Sequence, residues 1–342
     1  MKARSIVWRP LMVAALLALA VAGCGEVNES GGGGGGGGAE KNSGPLRLAV
    51  VPKAVGFDFW NQVKTGAECA ASKQKDVEVR WDGVTAETDV TGQVNLLQNF
   101  ITQGVDGLVY AATDAKVLND VSKQAIQQDI PVVNIDSGTD PQPKEVPVFA
   151  TDNVASAEKV AGLLADKLGK AGGEIAFIPF QRGTATNEQR AEGFKTGLKE
   201  HPELKLVAEQ ASQSDYDKAL QVTEDILTAN PNLKGIFAAN EPSVLGAAEA
   251  VRQAKKSGKI TIVGWDASPD EVKGVRDGVI DALIVQNPFR MGFDGVNAIT
   301  KQLREGTKPS SGDTGVTIVT KSNLDDPEVK AVLKPSCDNP PS

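Results

Sequence analysis

The two halves of the chain contain the same series of apolar segments in the same order. Each segment of the first half has a counterpart 127 to 130 residues later, and the pairs are 46–52 with 173–179, 107–113 with 235–240, and 130–136 with 260–266. Buried strands of unrelated origin also resemble one another, so a single match would carry little weight. Three matches in one order at nearly one spacing favour a duplicated unit and predict two lobes of similar topology.

Short apolar runs alternate with helix-like patterns from residue 46 onward. Several runs are almost entirely apolar, which is typical of parallel strands covered by helices on both faces. The predicted strands are 46–51, 77–81, 107–110, 132–135, 174–178, 204–208, 235–238, 261–264 and 282–285. The predicted helices are 59–72, 88–103, 116–128, 154–168, 187–200, 217–230, 242–254 and 289–304. The alternation predicts an α/β protein with two doubly wound Rossmann-like lobes.

The order of these segments predicts how the chain is divided between the lobes. We expect an N-terminal lobe of residues 46–150 and 288–315, and a C-terminal lobe of residues 151–287 and 316–342. The crossings between them fall near residues 149–153, 287–288 and 315–319. These crossings would form a three-segment hinge, and the C-terminal tail could return to the N-terminal lobe.

The first 23 residues have the pattern of an export signal. Lys2, Arg4 and Arg9 precede twelve apolar residues, Leu11 to Ala22, and the run is too short to span a bilayer comfortably. Cys24 directly follows Ala-Gly, which resembles the bacterial lipobox. That resemblance implies cleavage before Cys24 and a diacylglycerol on its sulfur. The alternative is an ordinary secretory signal followed by a chance cysteine.

Residues 24–45 include eight consecutive glycines and are predicted to be a glycine-rich linker that holds the folded body away from a membrane.

Cleavage of the signal would lower the formal charge from −8 to −11, because three basic residues are lost. Such an acidic chain is not expected to bind nucleic acid, which requires a cationic surface. With His201 as the single histidine, the sequence predicts no metal site, cofactor or Ser-His-Asp triad.

Cys69 and Cys337 remain once Cys24 is assigned to the lipid. An exported compartment permits disulfides, and a bond between these two residues would join an early helix to the C-terminal tail. Two independent thiols are the alternative that the sequence leaves open.

The strand ends of the two lobes carry the candidate site. In parallel sheets, ligands bind beyond the carboxyl ends of strands. Asp136 and Asp266 follow equivalent strands, so facing lobes would place both carboxylates in one cleft. Aromatic residues and hydrogen-bonding side chains also follow the strands, and this mixture suits a small polyol, whose ring faces are apolar and whose hydroxyls each need a partner.

On these residues the chain resembles type I periplasmic solute-binding proteins of the ribose and related sugar group, which serve ATP-binding cassette importers. The resemblance covers about residues 46–320. Its motifs are Phe59-Trp60, 103–107 (QGVDG), 130–136 (IPVVNID), 151–153 (TDN), 190–194 (RAEGF), 237–241 (FAANE), 263–266 (VGWD) and Gln286. It implies a two-lobed binding protein that closes on its ligand.

The resemblance also implies which residues contact the ligand. Its stacking aromatics and hydrogen-bonding groups fall on Phe59, Trp60, Asp136, Arg190, Tyr216, Asn240, Trp265, Asp266 and Gln286. Ribose binders have an arginine where this chain has Ser137 and an asparagine where it has Ala111. These differences count against ribose as the ligand but do not identify the sugar, and Lys53 is a candidate replacement donor at the edge of the cleft.

The expected function is therefore capture of a monosaccharide or similar polyol, without catalysis, and delivery to a membrane permease. The expected protein is a monomer outside the cytoplasm, which means the periplasm if the organism is Gram-negative. It is expected to touch the membrane only through its lipid anchor. A sensory protein that presents a sugar-like signal to a membrane receptor or sensor kinase, and an extracytoplasmic enzyme of the same fold, are the alternatives. A sugar-responsive repressor would need a DNA-binding head where this chain has its export signal.

Overall fold

The computed structural model describes residues 44–338, 340 and 341. The predicted signal peptide, Cys24 and nearly all of the predicted linker lie outside the described residues. The described part belongs to one compact unit, Ser43–Ser342. None of the described helices is both long enough and apolar enough to cross a membrane.

Strands and helices alternate along this unit. The strands are β1 Leu46–Val51, β2 Val77–Trp81, β3 Gly107–Tyr110, β4 Val132–Ile135, β5 Val148–Ala150, β6 Gly173–Ile178, β7 Leu204–Glu209, β8 Leu233–Ala238, β9 Thr261–Trp265, β10 Ala282–Gln286, β11 Gly312–Asp313 and β12 Val316–Thr320. The helices are α1 Asp58–Ser72, α2 Val90–Thr102, α3 Val117–Gln127, α4 Asn153–Leu168, α5 Ala185–Gly197, α6 Tyr216–Ala229, α7 Glu241–Gln253, α8 Pro269–Asp277, α9 Pro288–Glu305 and α10 Pro327–Leu333.

The strands form two six-stranded sheets with matching topology. The order is β2-β1-β3-β4-β5-β11 in one sheet and β7-β6-β8-β9-β10-β12 in the other. The pairings are parallel except for β10 with β12. The predicted fold class is therefore confirmed, and each strand of a sequence-matched pair occupies the same position in its own sheet.

Alternating residues of each central strand pack on opposite faces of the sheet. In β1, Leu48 and Val50 join the core beneath α1 and α9, whereas Ala49 and Val51 join the core beneath α2 and α3. The second sheet is covered in the same way, with α4 and α5 on one face and α6, α7 and α8 on the other. Because both faces are buried, these strands appear in the sequence as nearly continuous apolar runs.

The chain passes between the sheets three times: from β5 to α4, from β10 to α9, and from β11 to β12. The three-segment connection predicted from the sequence is thus present. Five elements were not predicted, namely β5, β11, β12, α8 and α10. Three of them have only two, three or seven residues, too few for a hydrophobic period to be recognised.

The C-terminal tail returns to the N-terminal lobe. Cys337 is bonded to Cys69 in α1, with 5.4 Å between their Cα atoms. The helix before it, α10, contacts β12 of the other sheet. The tail therefore touches both lobes.

Helices α1 and α9 approach each other closely at glycines. A Cβ added to Gly66 would overlap the Phe289 carbonyl oxygen. We expect Gly66→Ala to lower the free energy of unfolding by about 1–3 kcal/mol, because the helices must separate to admit the methyl group. Gly162, in α4, has only ordinary contact distances around an added Cβ, so Gly162→Ala should raise stability by about 0.5–1 kcal/mol. Urea unfolding measures both, and equal effects would contradict this packing argument.

Candidate functional site

A small cavity lies between the two sheets, at the carboxyl ends of their strands. It holds about 280 Å³ of space between atoms. Both lobes contribute to its lining, which consists of Lys53, Phe57, Phe59, Trp60, Glu87, Asp136, Phe180, Arg190, Asn240, Glu241, Pro242, Asp266 and Gln286. Aromatic rings and charged groups therefore surround one space.

The two aspartates at equivalent strand ends line this same cavity. Asp136 follows β4, and Asp266 follows its counterpart β9. Both residues have positive φ angles, of 56° and 81°, in a region that Asp tolerates better than most side chains. A similar turn after equivalent strands thus directs one carboxylate into the cavity from each lobe.

Lys53 brings a buried cation to the end of β1. Its Nζ lies 3.0 Å from Asp136 Oδ2 and 3.9 Å from Glu87 Oε1. It also donates a hydrogen bond to Thr186 Oγ1 at 3.1 Å. Thr186 belongs to α5 of the C-terminal lobe, so Lys53 links the two lobes directly.

The loop that carries Lys53 is held by Gln93, a buried residue of α2. The Gln93 amide donates hydrogen bonds to the carbonyl oxygens of Pro52 and Ala111, at 2.9 and 2.8 Å. Its oxygen accepts the N–H of Thr113 at 3.0 Å. These bonds tie the ends of β1 and β3 together beside the cavity, which limits the positions open to Lys53.

Arg190 occupies the C-terminal side of the cavity and is 2% exposed. Its Nε donates to Asn153 Oδ1 at 2.8 Å, and its Nη1 donates to the Ala239 carbonyl oxygen at 2.7 Å. Its guanidinium carbon lies 4.3 Å from the centre of the Trp265 ring. Burial lowers the pKa of Arg190, and the neighbouring carboxylates, led by Asp266, oppose this effect.

Asp266 is held by two hydrogen bonds from its own lobe. Its Oδ1 accepts from Gln286 Nε2 at 2.7 Å, and its Oδ2 accepts the backbone N–H of Glu241 at 3.0 Å. Burial raises the pKa of Asp266, while the charge of Arg190 acts in the opposite direction. The carboxylate is thus oriented before any ligand arrives, which reduces the entropy lost on binding.

Aromatic rings from both lobes enclose the charged groups. Phe59 and Trp60 lie in the first turn of α1, and their rings meet edge to face with centres 4.8 Å apart. Phe180 comes from the opposite lobe, after β6. Its ring centre lies 5.2 Å from Lys53 Nζ and 5.1 Å from the guanidinium carbon of Arg190. Such ring faces can pack against the C–H face of a sugar.

A second polar link between the lobes runs through Ser214. Its Oγ donates to Glu87 Oε2 at 2.5 Å and accepts from Asn240 Nδ2 at 3.1 Å. Glu87 belongs to the N-terminal lobe, whereas Ser214 and Asn240 belong to the C-terminal lobe. The bond between Ser214 and Glu87 therefore crosses the cleft, and Asn240 is joined to it through Ser214.

Eight of the ten predicted ligand contacts line the cavity, and Tyr216 and Trp265 do not. Tyr216 is the first residue of α6, is 42% exposed, and lies in an adjoining open groove of about 2,030 Å³. Trp265 ends β9 and is fully buried behind Arg190, where it packs against Phe237. Successive strand residues point to opposite faces, so Trp265 enters the core and Asp266 enters the cavity.

The structure adds five lining residues that the sequence prediction omitted. They are Phe57, Glu87, Phe180, Glu241 and Pro242. The repeat contained a signal for Phe180, because Pro179-Phe180 occupies the strand end equivalent to Pro52-Lys53. Glu87 lies in an irregular loop, where no period or motif marks it.

Some buried acceptors of the lining have no hydrogen-bond donor within the described protein. They are Asp136 Oδ2, which has the charge of Lys53 nearby but not in hydrogen-bonding geometry, and Gln286 Oε1. An unpaired buried acceptor costs about 1–3 kcal/mol. A ligand with O–H donors would remove this cost, and an apolar one would not.

Comparison with known proteins identifies the family. The model of the periplasmic binding protein domain matches residues 48–308. The chain belongs to this family. The predicted resemblance is thereby confirmed, and so is its type of two-lobed fold.

Several members of the family are similar over most of the chain. The D-allose-binding periplasmic protein of Escherichia coli is 34% identical over 75% of this chain and 85% of its own. The D-ribose/D-allose-binding protein of Pseudomonas aeruginosa is 32% identical over 80% of this chain and 88% of its own. An ABC transporter solute-binding protein from Agrobacterium vitis, solved with bound D-fucose, is 37% identical with a TM-score of 0.81, over 84% of this chain and all of its own.

Proposed function

We propose that this protein captures one uncharged monosaccharide between its lobes and delivers it to an ATP-binding cassette importer. The observation that carries the proposal is the cavity shared by Asp136 and Asp266. Carboxylates from both lobes, acceptors that lack donors and aromatic rings surround a single small space. Relatives of this chain are named for D-allose and D-ribose, and one was solved with bound D-fucose.

Binding would proceed by closure of the two lobes about the three crossings. The charged groups of the cavity are almost completely buried, with Lys53, Asp136, Arg190 and Asp266 between 2% and 6% exposed. A sugar ring therefore enters only when the lobes move apart, and closure then buries it between them. Moving a lobe equilibrium from 1:99 to 99:1 needs about 5.5 kcal/mol of differential binding. A few charge-assisted hydrogen bonds and ring contacts can supply this.

Import is favoured over sensing because the Agrobacterium vitis relative is an ABC transporter protein. A permease that recognises the closed lobes would receive the sugar. Binding without turnover is favoured because the chain belongs to a family of binding proteins. A monomer is sufficient, since both halves of the site come from one chain.

The site of action that we propose is outside the cytoplasm. The export pattern of residues 1–23 supports secretion, and Cys24 is the proposed point of lipid attachment. Mass spectrometry of the membrane fraction should find a diacylglycerol adduct on Cys24. Release of the protein as a soluble, unmodified chain would contradict the anchor and leave the sugar-binding proposal intact.

The charges of the cavity predict selectivity for uncharged sugars. Two cations, Lys53 and Arg190, face the carboxyl groups of Glu87, Asp136, Glu241 and Asp266. The cations are already engaged by protein acceptors. An anionic ligand would therefore add negative charge without a free cation to pair with it, and buried unpaired charge is strongly unfavourable.

A thermal-shift screen tests this function. D-allose, D-ribose and D-fucose are compared with D-glucuronate and D-ribose 5-phosphate. We expect at least one neutral sugar to raise the melting temperature, since a ligand at 1,000 times its Kd adds about 4 kcal/mol of stability, and the two anions to have no effect. Absence of any shift with a broader set of neutral sugars and polyols would overturn the proposed function. An equal rise in melting temperature with D-glucuronate or D-ribose 5-phosphate would overturn the predicted selectivity for uncharged sugars.

A further inference from the structure

The first turn of α1 is capped by the opposite lobe. Phe57 occupies the N-cap position and makes no side-chain hydrogen bond to the helix. Instead, Glu241 Oε1 accepts the N–H of Asp58 at 3.2 Å, and Glu241 Oε2 accepts the N–H of Phe59 at 3.0 Å. Helix N-termini are ordinarily capped by the residue just before the helix. Because Glu241 belongs to the C-terminal lobe, this cap exists only while the lobes are together.

Glu241 also touches the candidate site of its own lobe. Its backbone N–H donates to Asp266 Oδ2 at 3.0 Å. Its side chain, at the other end, holds the turn of α1 that carries Phe59 and Trp60. Glu241 therefore connects Asp266, a carboxylate proposed to bind the sugar, with Phe59 and Trp60, the aromatic residues of the other lobe that are proposed to pack against it.

We infer that Glu241 is a positioning residue that couples closure of the lobes, and through closure the binding of sugar, to the uptake of a proton. The inference deepens the proposed function and uses sugar binding as its readout. Its physical basis is that closure removes the Glu241 carboxyl from water and places it between two lobes.

The surroundings of Glu241 favour the neutral acid when the lobes are closed. Burial raises the pKa of Glu241 to about 7, the charges of Asp266 and Asp58 act in the same direction, and the N–H groups of Phe59 and Asp58 oppose them. Glu271 of α8 is a further buried acid, whose pKa is raised by burial and by the charge of Glu241. The other charged residues of the cavity are Lys53, Glu87, Asp136 and Arg190. Those of the adjoining groove are Asp215, Lys218, Glu249, Arg252, Asp270 and Lys273.

The direction in which sugar affinity changes with pH follows from the protonation of Glu241 in the open and closed forms. With the lobes apart the carboxyl faces water, and its pKa is expected near the ordinary 4.5. Between that value and about 7, the closed form holds a proton that the open form lacks. Sugar affinity should therefore be greatest at acid pH, be lost as the pH rises toward about 7, and level off above it.

Isothermal titration calorimetry at pH 5.5 and pH 7.5 tests the inference. The probe is the neutral sugar with the lowest Kd in the thermal-shift screen, with D-allose tried first. We expect wild-type affinity to fall on the order of tenfold between the two pH values, and about half a proton to be taken up per sugar at pH 7. Titrations in two buffers of different ionisation enthalpy count that proton.

Two variants of Glu241 distinguish the effect of its titratable charge from the effect of its hydrogen bonds to the first turn of α1. Glu241→Gln keeps the length and one acceptor but cannot titrate, so its affinity should be the same at both pH values. Glu241→Ala removes the cap as well. Because neither variant is charged, the alanine variant should bind about 3- to 30-fold more weakly than the glutamine variant at each pH, the usual effect of losing a helix cap.

Glu271→Gln is the matched control. Glu271 is buried and has a pKa raised well above its ordinary value by burial, but its hydrogen bonds are to Ser268 in its own lobe. This variant should keep the pH dependence of the wild type. The inference would be overturned if the affinity of Glu271→Gln did not depend on pH, if that of Glu241→Gln still did, or if that of the wild type did not. In each of these cases the proposal of sugar binding would stand. If no sugar bound at all, the proposed function itself would fail.

Discussion

Replacing Asp266 by alanine is expected to weaken sugar binding by about 10- to 150-fold, the equivalent of one charge-assisted hydrogen bond of about 1.5–3 kcal/mol. Its carboxylate is oriented by Gln286 and by the N–H of Glu241. The substitution removes the proposed acceptor, leaves these two donors without their partner and removes a negative charge near Arg190. Isothermal titration calorimetry at a fixed pH measures the change in Kd.

Asp281→Ala is the control for that experiment. Asp281 also accepts a backbone hydrogen bond, from Ile262 at 3.0 Å, but it lies outside the cavity lining. The control should lose some stability and keep its affinity for sugar. Circular dichroism should show both variants folded. Equal affinity of Asp266→Ala and the wild type would remove Asp266 from the site.

Replacing Arg190 by alanine should weaken binding at least as much as the loss of Asp266. The guanidinium bridges Asn153 and the carbonyl of Ala239 and stacks on Trp265, so its removal leaves buried acceptors unpaired as well as removing a proposed donor to the sugar. We expect a decrease in affinity of about 10- to 150-fold. We also expect a lower melting temperature, because breaking a buried charge cluster destabilises the fold.

Arg190→Lys distinguishes charge from geometry. Lysine keeps the positive charge but lacks the planar fork that reaches two acceptors at once, so its affinity should lie between those of the wild type and the alanine variant. Arg80→Ala, at a half-exposed arginine beside Glu78, should leave binding unchanged. If calorimetry showed normal affinity in both Arg190→Ala and Asp266→Ala, the proposed site would be wrong.

The fold could be predicted because its signals are local or repeated. The predicted bounds of β1, β2, β3 and β4 agree with the structure residue for residue. Buried strands covered on both faces have continuous apolar sequences, and helices of more than ten residues show their period. Short edge elements such as β11, which pairs through two residues, have no comparable signal.

The site was predictable only where it repeats or matches a family motif. The repeat alone placed Asp136 and Asp266 at equivalent strand ends, and the structure places both in one cavity. Tyr216 matched a family position in the sequence, yet it starts α6 and faces an open groove. A position in an alignment does not specify where a loop directs the side chain.

The sequence by itself determined two duplicated α/β lobes, three crossings and a cleft with a carboxylate on each side, because periodicity and repetition are properties of neighbouring residues. Only the tertiary structure decided which groups meet across that cleft. Glu241 caps a helix 182 residues away, and Glu87 meets Ser214 across 127 residues. Such contacts depend on how two separately folded lobes are oriented, and no local pattern encodes that orientation.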